Sequence, residues 1–159
     1  MIRLEPMDER TYMAWREATV REYAEEKVTS GNWPASDALA RSEQAFTELL
    51  PDGRATAGHE LRSMVTDDGE HVGHAWFVPE DRPFGRVVFI YDIAVDPGHR
   101  RRGYARQALA GIEAFARDHG AVGVQLHVFG GNAGARRLYL EAGYVETNVT
   151  MLKRVDGSR

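Results

Sequence analysis

The chain has 159 residues, the length of one domain at about 150 residues per domain. With 43% hydrophobic and 28% charged residues its composition is globular, which excludes a disordered or fibrous chain. The 20 Lys and Arg oppose 24 Asp and Glu for a net charge of -4, which argues against nucleic-acid binding through bulk positive charge; the lack of cysteine excludes disulfides, thiolate zinc ligands and thiol catalysis.

No apolar run approaches the roughly 18 residues of a membrane span, and the first residues lack the apolar core of a signal peptide. The expectation is one domain over residues 1–155, a polar tail over residues 156–159, and a cytoplasmic location.

Ile2-Arg3-Leu4-Glu5-Pro6 alternates and stops at proline, which predicts a first strand. Asp8 can cap a helix from Glu9 to Lys27, with Met13, Trp15, Val20 and Tyr23 as its apolar residues. Gly31-Asn32-Trp33-Pro34 breaks it. Ser36 or Asp37 can cap a second helix through Leu50, with Leu39, Phe46, Leu49 and Leu50 facing inward. Glu60–Thr66 and His71–Val78 read as an antiparallel pair about the turn Asp67-Asp68-Gly69-Glu70. Pro79 to Gly85 reads as a loop with two prolines.

Val87 to Val95 is apolar on both faces and predicts a central strand, ended by Asp96-Pro97-Gly98. A long helix follows from about Arg101 to His119, with Ala105, Ala108, Leu109, Ile112, Phe115 and Ala116 as its stripe and Gly120 past its end. Val122 to Val128 reads as a strand, Ala133 to Ala142 as a short helix with Ala135, Leu138 and Ala142 inward, and Tyr144 to Leu152 as a final strand. The order β, α, α, β, β, β, α, β, α, β predicts an α/β (α+β) domain, a mixed central sheet flanked by helices. It has too few βαβ units for a dinucleotide-binding fold, and no GxGxxG follows the first strand.

The chemistry concentrates in Val95-Asp96-Pro97-Gly98-His99-Arg100-Arg101-Arg102-Gly103-Tyr104-Ala105, between the central strand and the long helix. Unpaired N–H groups and the positive dipole end meet there. Gly103 and Ala105 let a ligand approach the backbone, and arginine forks onto phosphate. These residue types suit a pyrophosphate cradle; the alternative is a basic helix start with a packing glycine.

Arg100-x-x-Gly103-x-Ala105 resembles the [Q/R]xxGx[G/A] acetyl-CoA loop of the GNAT N-acetyltransferases, and Ile93-Ala94-Val95-x-Pro97 is similar to the strand leading into it. Asn132-x-x-Ala135-x-x-Leu138-Tyr139-x-x-x-Gly143-Tyr144 resembles the family's second signature, NxxAxxLYxxxGF, with Tyr144 for the usual Phe. The resemblance implies a GNAT-like acyl-CoA N-acyltransferase fold and direct acetyl transfer from the cosubstrate acetyl-CoA to an amine. It implies that the backbone of Ile93, Ala94 and Val95 pairs with the pantetheine arm, beside a bulge and a splay from the following strand. Amides from Arg101, Arg102, Gly103, Tyr104 and Ala105 would take the pyrophosphate, aided by the charge of Arg100. Asn132 would bond the cofactor arm, and Tyr139 would be general acid to the leaving thiolate.

The base is open. Asp92, on the central strand, is a base, an amine anchor or a buried structural acid, and alternation places it opposite Tyr91 and Ile93. His59 has a suitable ordinary pKa but can equally be a loop histidine. His74 and His127 lie on predicted strands and face a cavity or the core; His71, His99 and His119 look peripheral. No histidine motif or acidic turn suggests a metal site. The acceptor pocket is expected from the first two helices, their connection and the loop 79–85. There Glu22, Glu25 and Glu26 suit a small-molecule or peptide amine or form a solvated face, and Trp33 and Trp76 wall the pocket or pack. An acyl-CoA sensor without turnover and a transferase for another acyl group are the alternatives. The expected partners are the acceptor and a second copy in a homodimer, with neither nucleic acid nor membrane.

Overall fold

The computed structural model describes residues 1–158. The first strand, β1 (Ile2–Pro6), leads into α1 (Glu9–Thr29) and α2 (Ala38–Leu49). A 3-10 turn at Gly53–Ala55 precedes β2 (Glu60–Thr66), β3 (His71–Arg82) and β4 (Gly85–Val95). A second 3-10 turn at Pro97–His99 leads to α3 (Tyr104–Asp118), β5 (Gly123–Leu126) and α4 (Ala133–Glu141). The chain falls into two units, residues 1–127 with the sheet and α1 to α3, and residues from 128 onward with α4.

Local chemistry explains several boundaries. The Thr11 N–H donates to Asp8 Oδ1 at 2.7 Å, the cap that starts α1. Gly69, at φ +85, turns β2 into β3, and the Glu70 N–H donates to Thr66 Oγ1 at 3.0 Å. Asp37 stands at the start of α2 but makes no side-chain cap; its carboxylate pairs with Arg41 at 2.9 Å instead.

The sheet runs β1-β2-β3-β4-β5, antiparallel except for the parallel β4–β5 pair that α3 connects. One face packs on α1 and α2 through Met7, Tyr12, Trp15, Phe46, Trp76 and neighbours. The other meets α3, which buries Ala108, Leu109, Ile112 and Ala116 and sets Phe115 edge-on to Phe77, ring centroids 5.1 Å apart. In α2 the inward residues are Ala38, Ser42 and Phe46, while Leu39 is 57% exposed; Ser42 is buried because its hydroxyl donates to the Val20 carbonyl at 2.6 Å. Met13 of α1 also points outward.

Three of the expected elements also need correction. Pro79 to Arg82 continue β3 rather than forming a loop. The pairing of β2 with β3 begins at Glu60 opposite Phe77, so beyond Phe77 β3 is an edge on that side, where proline is tolerated. Helix α3 starts at Tyr104, not Arg101, because Arg101 and Gly103 both hold left-handed φ, +62° and +79°. Residues 144–152 form no strand, and Val145, Val149, Met151 and Leu152 are exposed. Alternation alone makes no strand without a partner to bond its backbone. The start of that segment is tied to α4 by the Tyr144 N–H on the Tyr139 carbonyl at 2.9 Å and by the Arg136–Glu146 ion pair.

Candidate active site

The site begins where β4 outruns β5. The parallel pairing covers Val87 to Ile90 opposite Gly123 to Leu126 and goes no further. Beyond it Ile93, Ala94 and Val95 pair on one side only, with Ala75, His74 and Gly73 of β3. Their other edge has no neighbouring strand among the described residues, because β5 ends at Leu126 opposite Ile90. The bulge is present too: Trp76 opposes Asp92 and Phe77 opposes Ile90, so Tyr91 is the extra residue.

That bulge corrects the alternation argument. Ile90 shares the α3 face with Phe77, whereas Asp92 shares the α1 face with Trp76. Tyr91 stacks on Trp76 at 4.6 Å, so Tyr91 and Asp92 lie on one face, not on opposite ones. An extra residue reverses the side-chain parity beyond it.

The chain leaves β4 through Asp96, whose N–H donates to the Val72 carbonyl at 2.9 Å, and Arg100 Nε returns to the Val95 carbonyl at 3.3 Å. Among the described residues Arg101 is the non-glycine residue held at positive φ, a conformation that costs about 1 kcal/mol or more and that functional loops tolerate. The α3 ladder opens with the Gln107 N–H on the Gly103 carbonyl at 3.1 Å, and Gly103 provides no side-chain cap for the amides ahead of it. Arg100, Arg101 and Arg102 are exposed, and a Cβ placed on Gly103 would meet nothing within 4 Å. Uncapped amides, the dipole end, three arginines and open space fit a pyrophosphate.

Asp92 stands one residue before this edge, on the α1 face. His74 Nε2 lies 2.8 Å from its Oδ2, and Trp15 Nε1 donates to the same oxygen at 3.0 Å. Burial opposes the carboxylate, but His74, Trp15 and the Ile93 N–H together hold its pKa below the ordinary value. Burial likewise opposes the His74 cation, and Asp92, with Asp96 and Glu22 behind it, raises that pKa above the ordinary 6.5. The pair keeps an opening: 19% of the His74 side chain and 25% of that of Asp92 remain accessible. Glu26 of α1 has its carboxyl pushed up by partial burial and by the negative charges of Asp92 and Glu22.

His59 is wired in the opposite sense. Trp76 Nε1 donates to its Nδ1 at 2.9 Å, and burial lowers its pKa against the raising effect of Glu80. Indole N–H can only donate, so it occupies the lone pair of the neutral ring and leaves Nε2 protonated. His59 also lines a cavity of about 440 Å3 with Pro6, Met7, Arg54 and Leu61. Arg54 in its wall is already held by Glu9 and the Met7 carbonyl at 3.1 Å each.

Other named residues sort plainly. His71 faces Asp96 at 3.3 Å and His99 faces Glu70 at 3.7 Å; His119 stacks on Phe115 at 3.8 Å; His127 is exposed just past the end of β5. Trp33 packs edge-on to Tyr23, with Lys27 Nζ 5.4 Å from both rings. Among the described residues no group of three His, Asp or Glu could hold a metal. In the second unit Asn132 caps α4 by accepting from the Ala135 N–H at 3.2 Å, and half-buried Tyr139 sets its ring 5.8 Å from that of Tyr144. Sequence reasoning missed Trp15 as the donor to Asp92, for which spacing carries no signal. It named His74 without its partner, though the spacing of His74 and Trp76 already put them on one face.

The comparisons agree with this architecture. The family model described as Acetyltransferase (GNAT) family matches residues 12–144. The uncharacterized N-acetyltransferase YycN of Bacillus subtilis is 40% identical over 97% of this chain and 99% of its own, and a crystal structure of YycN superposes with a TM-score of 0.89, covering 98% of this chain and 99% of that one. A second Bacillus subtilis relative, the uncharacterized N-acetyltransferase YdgE, is 34% identical over 96% of this chain and 97% of its own. A structure of glucosamine-6-phosphate N-acetyltransferase from Arabidopsis thaliana shares the fold at 14% identity and a TM-score of 0.56, over 98% of this chain and 99% of that one. By its matched residues, sheet and loop, the chain belongs to the GNAT family of acetyltransferases.

Proposed function

We propose that this chain transfers the acetyl group of acetyl-CoA to a primary amine on a small molecule or peptide. The observation that carries the reading is the one-sided end of β4 running into the uncapped start of α3. Acetyl-CoA, when bound, supplies an acetyl thioester activated for attack by nitrogen. The backbone of Ile93, Ala94 and Val95 would hold its amide arm as a strand would, and the amides of residues 101–105 would hold the pyrophosphate between the arginines. Backbone donors on the β4 edge would meet the negative charge that develops on the thioester oxygen.

Tyr139 is the general acid of this reading. A tyrosine phenol carries a proton that it can donate to a departing thiolate. Its assignment rests on the second family signature, as does that of Asn132 as a contact to the arm in addition to its cap. The acidic end of α1, with Glu22, Glu25 and Glu26, favours a cationic acceptor.

Thiol release from acetyl-CoA across polyamines, aminoglycosides, amino acids and short peptides tests the reading. Amine-dependent release that falls about 10²-fold or more in Tyr139→Phe is the expected result. Tight acetyl-CoA binding with no release above background would point to a sensor, and no binding at all would overturn the cofactor assignment.

A further inference from the structure

We propose that His74, aligned by Asp92, is the base that takes the proton from the acceptor's ammonium. The inference rests on the acetyl-transfer reading above and names the residue that reading leaves open.

His74 of β3 is the cross-strand partner of Ala94, the middle residue of the one-sided edge. Cross-strand partners share a face with Cβ atoms about 5 Å apart, so the imidazole stands beside the segment that would present the thioester. Both His74 and Asp92 lie on the α1 face, the side to which α1 brings Glu22 and Glu26.

Wiring then separates the two histidines. Asp92 is an acceptor, so the His74 nitrogen facing it, Nε2, carries the hydrogen. The neutral ring therefore keeps its lone pair on Nδ1, which has no hydrogen-bond partner among the described residues. A carboxylate behind a histidine fixes the tautomer and steadies the imidazolium that forms when the ring gains a proton. At His59 the Trp76 N–H consumes the lone pair instead. One ring is set to accept a proton and the other to donate.

Trp15 completes the arrangement. Its N–H on Asp92 Oδ2 keeps the carboxylate ionised and pointed at His74 without offering it a proton it could exchange. The groups facing His74 are Asp92 on β4, Asp96 just after it and Glu22 on α1, all acidic, so an imidazolium is tolerated there. The same charges favour the approach of an ammonium.

The step balances. The acceptor R–NH3+ gives one proton to His74 Nδ1. The nitrogen lone pair so freed forms the C–N bond to the acetyl carbon while the C–S bond breaks. The sulfur leaves with its electron pair and takes one proton, matched by the second proton lost from nitrogen. His74 then passes its proton to solvent, so each turnover releases one.

Asp92 in this scheme is a positioning residue, and His74 alone meets the substrate. The test uses the whole chain in two readouts. In the protein without acetyl-CoA, 15N-resolved histidine spectra should show His74 neutral as the Nε2–H tautomer, with a titration midpoint above 6.5 that falls in Asp92→Asn. In turnover, His74→Gln should lose about 10²-fold or more in kcat/KM at pH 7. The deficit should shrink tenfold or more toward pH 10, where the acceptor amine, with an ordinary pKa near ~10.4, sheds its own proton. The KM for acetyl-CoA should stay unchanged.

A deficit that is constant across pH, or an Nδ1–H tautomer, overturns the role of His74 and leaves acetyl transfer standing. Wild-type protein that turns over with none of the amines overturns both readings. Should His74→Gln fold poorly, Asp92→Asn gives the same decision through the spectra and the pH profile.

Discussion

Replacing Gly73 by alanine probes how closely β3 and β4 must approach beside the proposed acyl-CoA edge. A Cβ built on Gly73 lies 2.4 Å from the Ala94 carbonyl oxygen, 2.9 Å from Met64 Sδ and 3.0 Å from Val95 Cα. Ordinary contact begins at 3.4 Å, so the carbonyl must retreat by about 1 Å. The Met64 side chain is fully buried, and the Ala94 and Val95 backbone is held by its ladder to β3. Overpacking of this kind costs about 1–3 kcal/mol, and at roughly 2–4 °C per kcal/mol for a chain of this size the melting temperature should fall by about 2–12 °C.

The displaced carbonyl sits in the segment that would hold the pantetheine arm, so acetyl-CoA binding should weaken about tenfold as well. Thermal unfolding and isothermal titration measure the two effects. Gly98→Ala is the control, because Gly98 has ordinary φ and an added methyl there would meet nothing within 4 Å; it should leave the melting temperature unchanged. A Gly73→Ala protein that melts and binds like wild type would refute the claim that β4 is clamped at this point.

Trp15→Phe keeps a ring in the core but removes the N–H on Asp92; loss of a hydrogen bond to a charged group should cost about 1.5–3 kcal/mol in urea unfolding, and a cost below about 0.5 kcal/mol would show the bond to be idle. The two histidines should impose opposite pH slopes. The raised His74 pKa stabilises below 6.5 and loses this as pH rises through its folded value, while the lowered Asp92 pKa stabilises above 3.8 and loses this as pH falls through its own, so the pair is strongest between these values. His59, pushed down by burial, stabilises above 6.5 and loses this as pH falls through its folded value. Urea titrations should therefore lose the alkaline decline in His74→Gln and the acid decline in His59→Gln; wild-type slopes in both variants would refute the wiring of both rings.

Much of the fold was legible because its signals are local. Asp8 before a helical run, Gly69 in an Asp-Asp-Gly-Glu turn and the α3 stripe of Ala108, Leu109, Ile112 and Ala116 each act within a few residues. The place of the segment from Arg100 to Ala105, between a strand end and a helix start, was legible for the same reason, although the helix begins at Tyr104 and not at Arg101. The failures were of another kind. Leu39 has the hydrophobicity to face inward, but Ser42 takes that face by finding the Val20 carbonyl on another helix. Residues 144–152 alternate as a strand does and still lack one.

The sequence by itself determined the family, the element order as far as α4 and the place of the loop from Arg100 to Ala105, because short motifs and periodicities report interactions between residues near one another in the chain. Tertiary structure alone decided which groups surround Asp92. The extra residue at Tyr91 reverses the facing of β4 beyond Ile90, and only the register against Trp76 reveals it. His74 and Trp15 reach the same carboxylate oxygen from β3 and α1, at separations in the chain that no local pattern encodes. The direction of each imidazole's proton follows from whether an acceptor or a donor was folded against it, which is a property of packing and not of spacing.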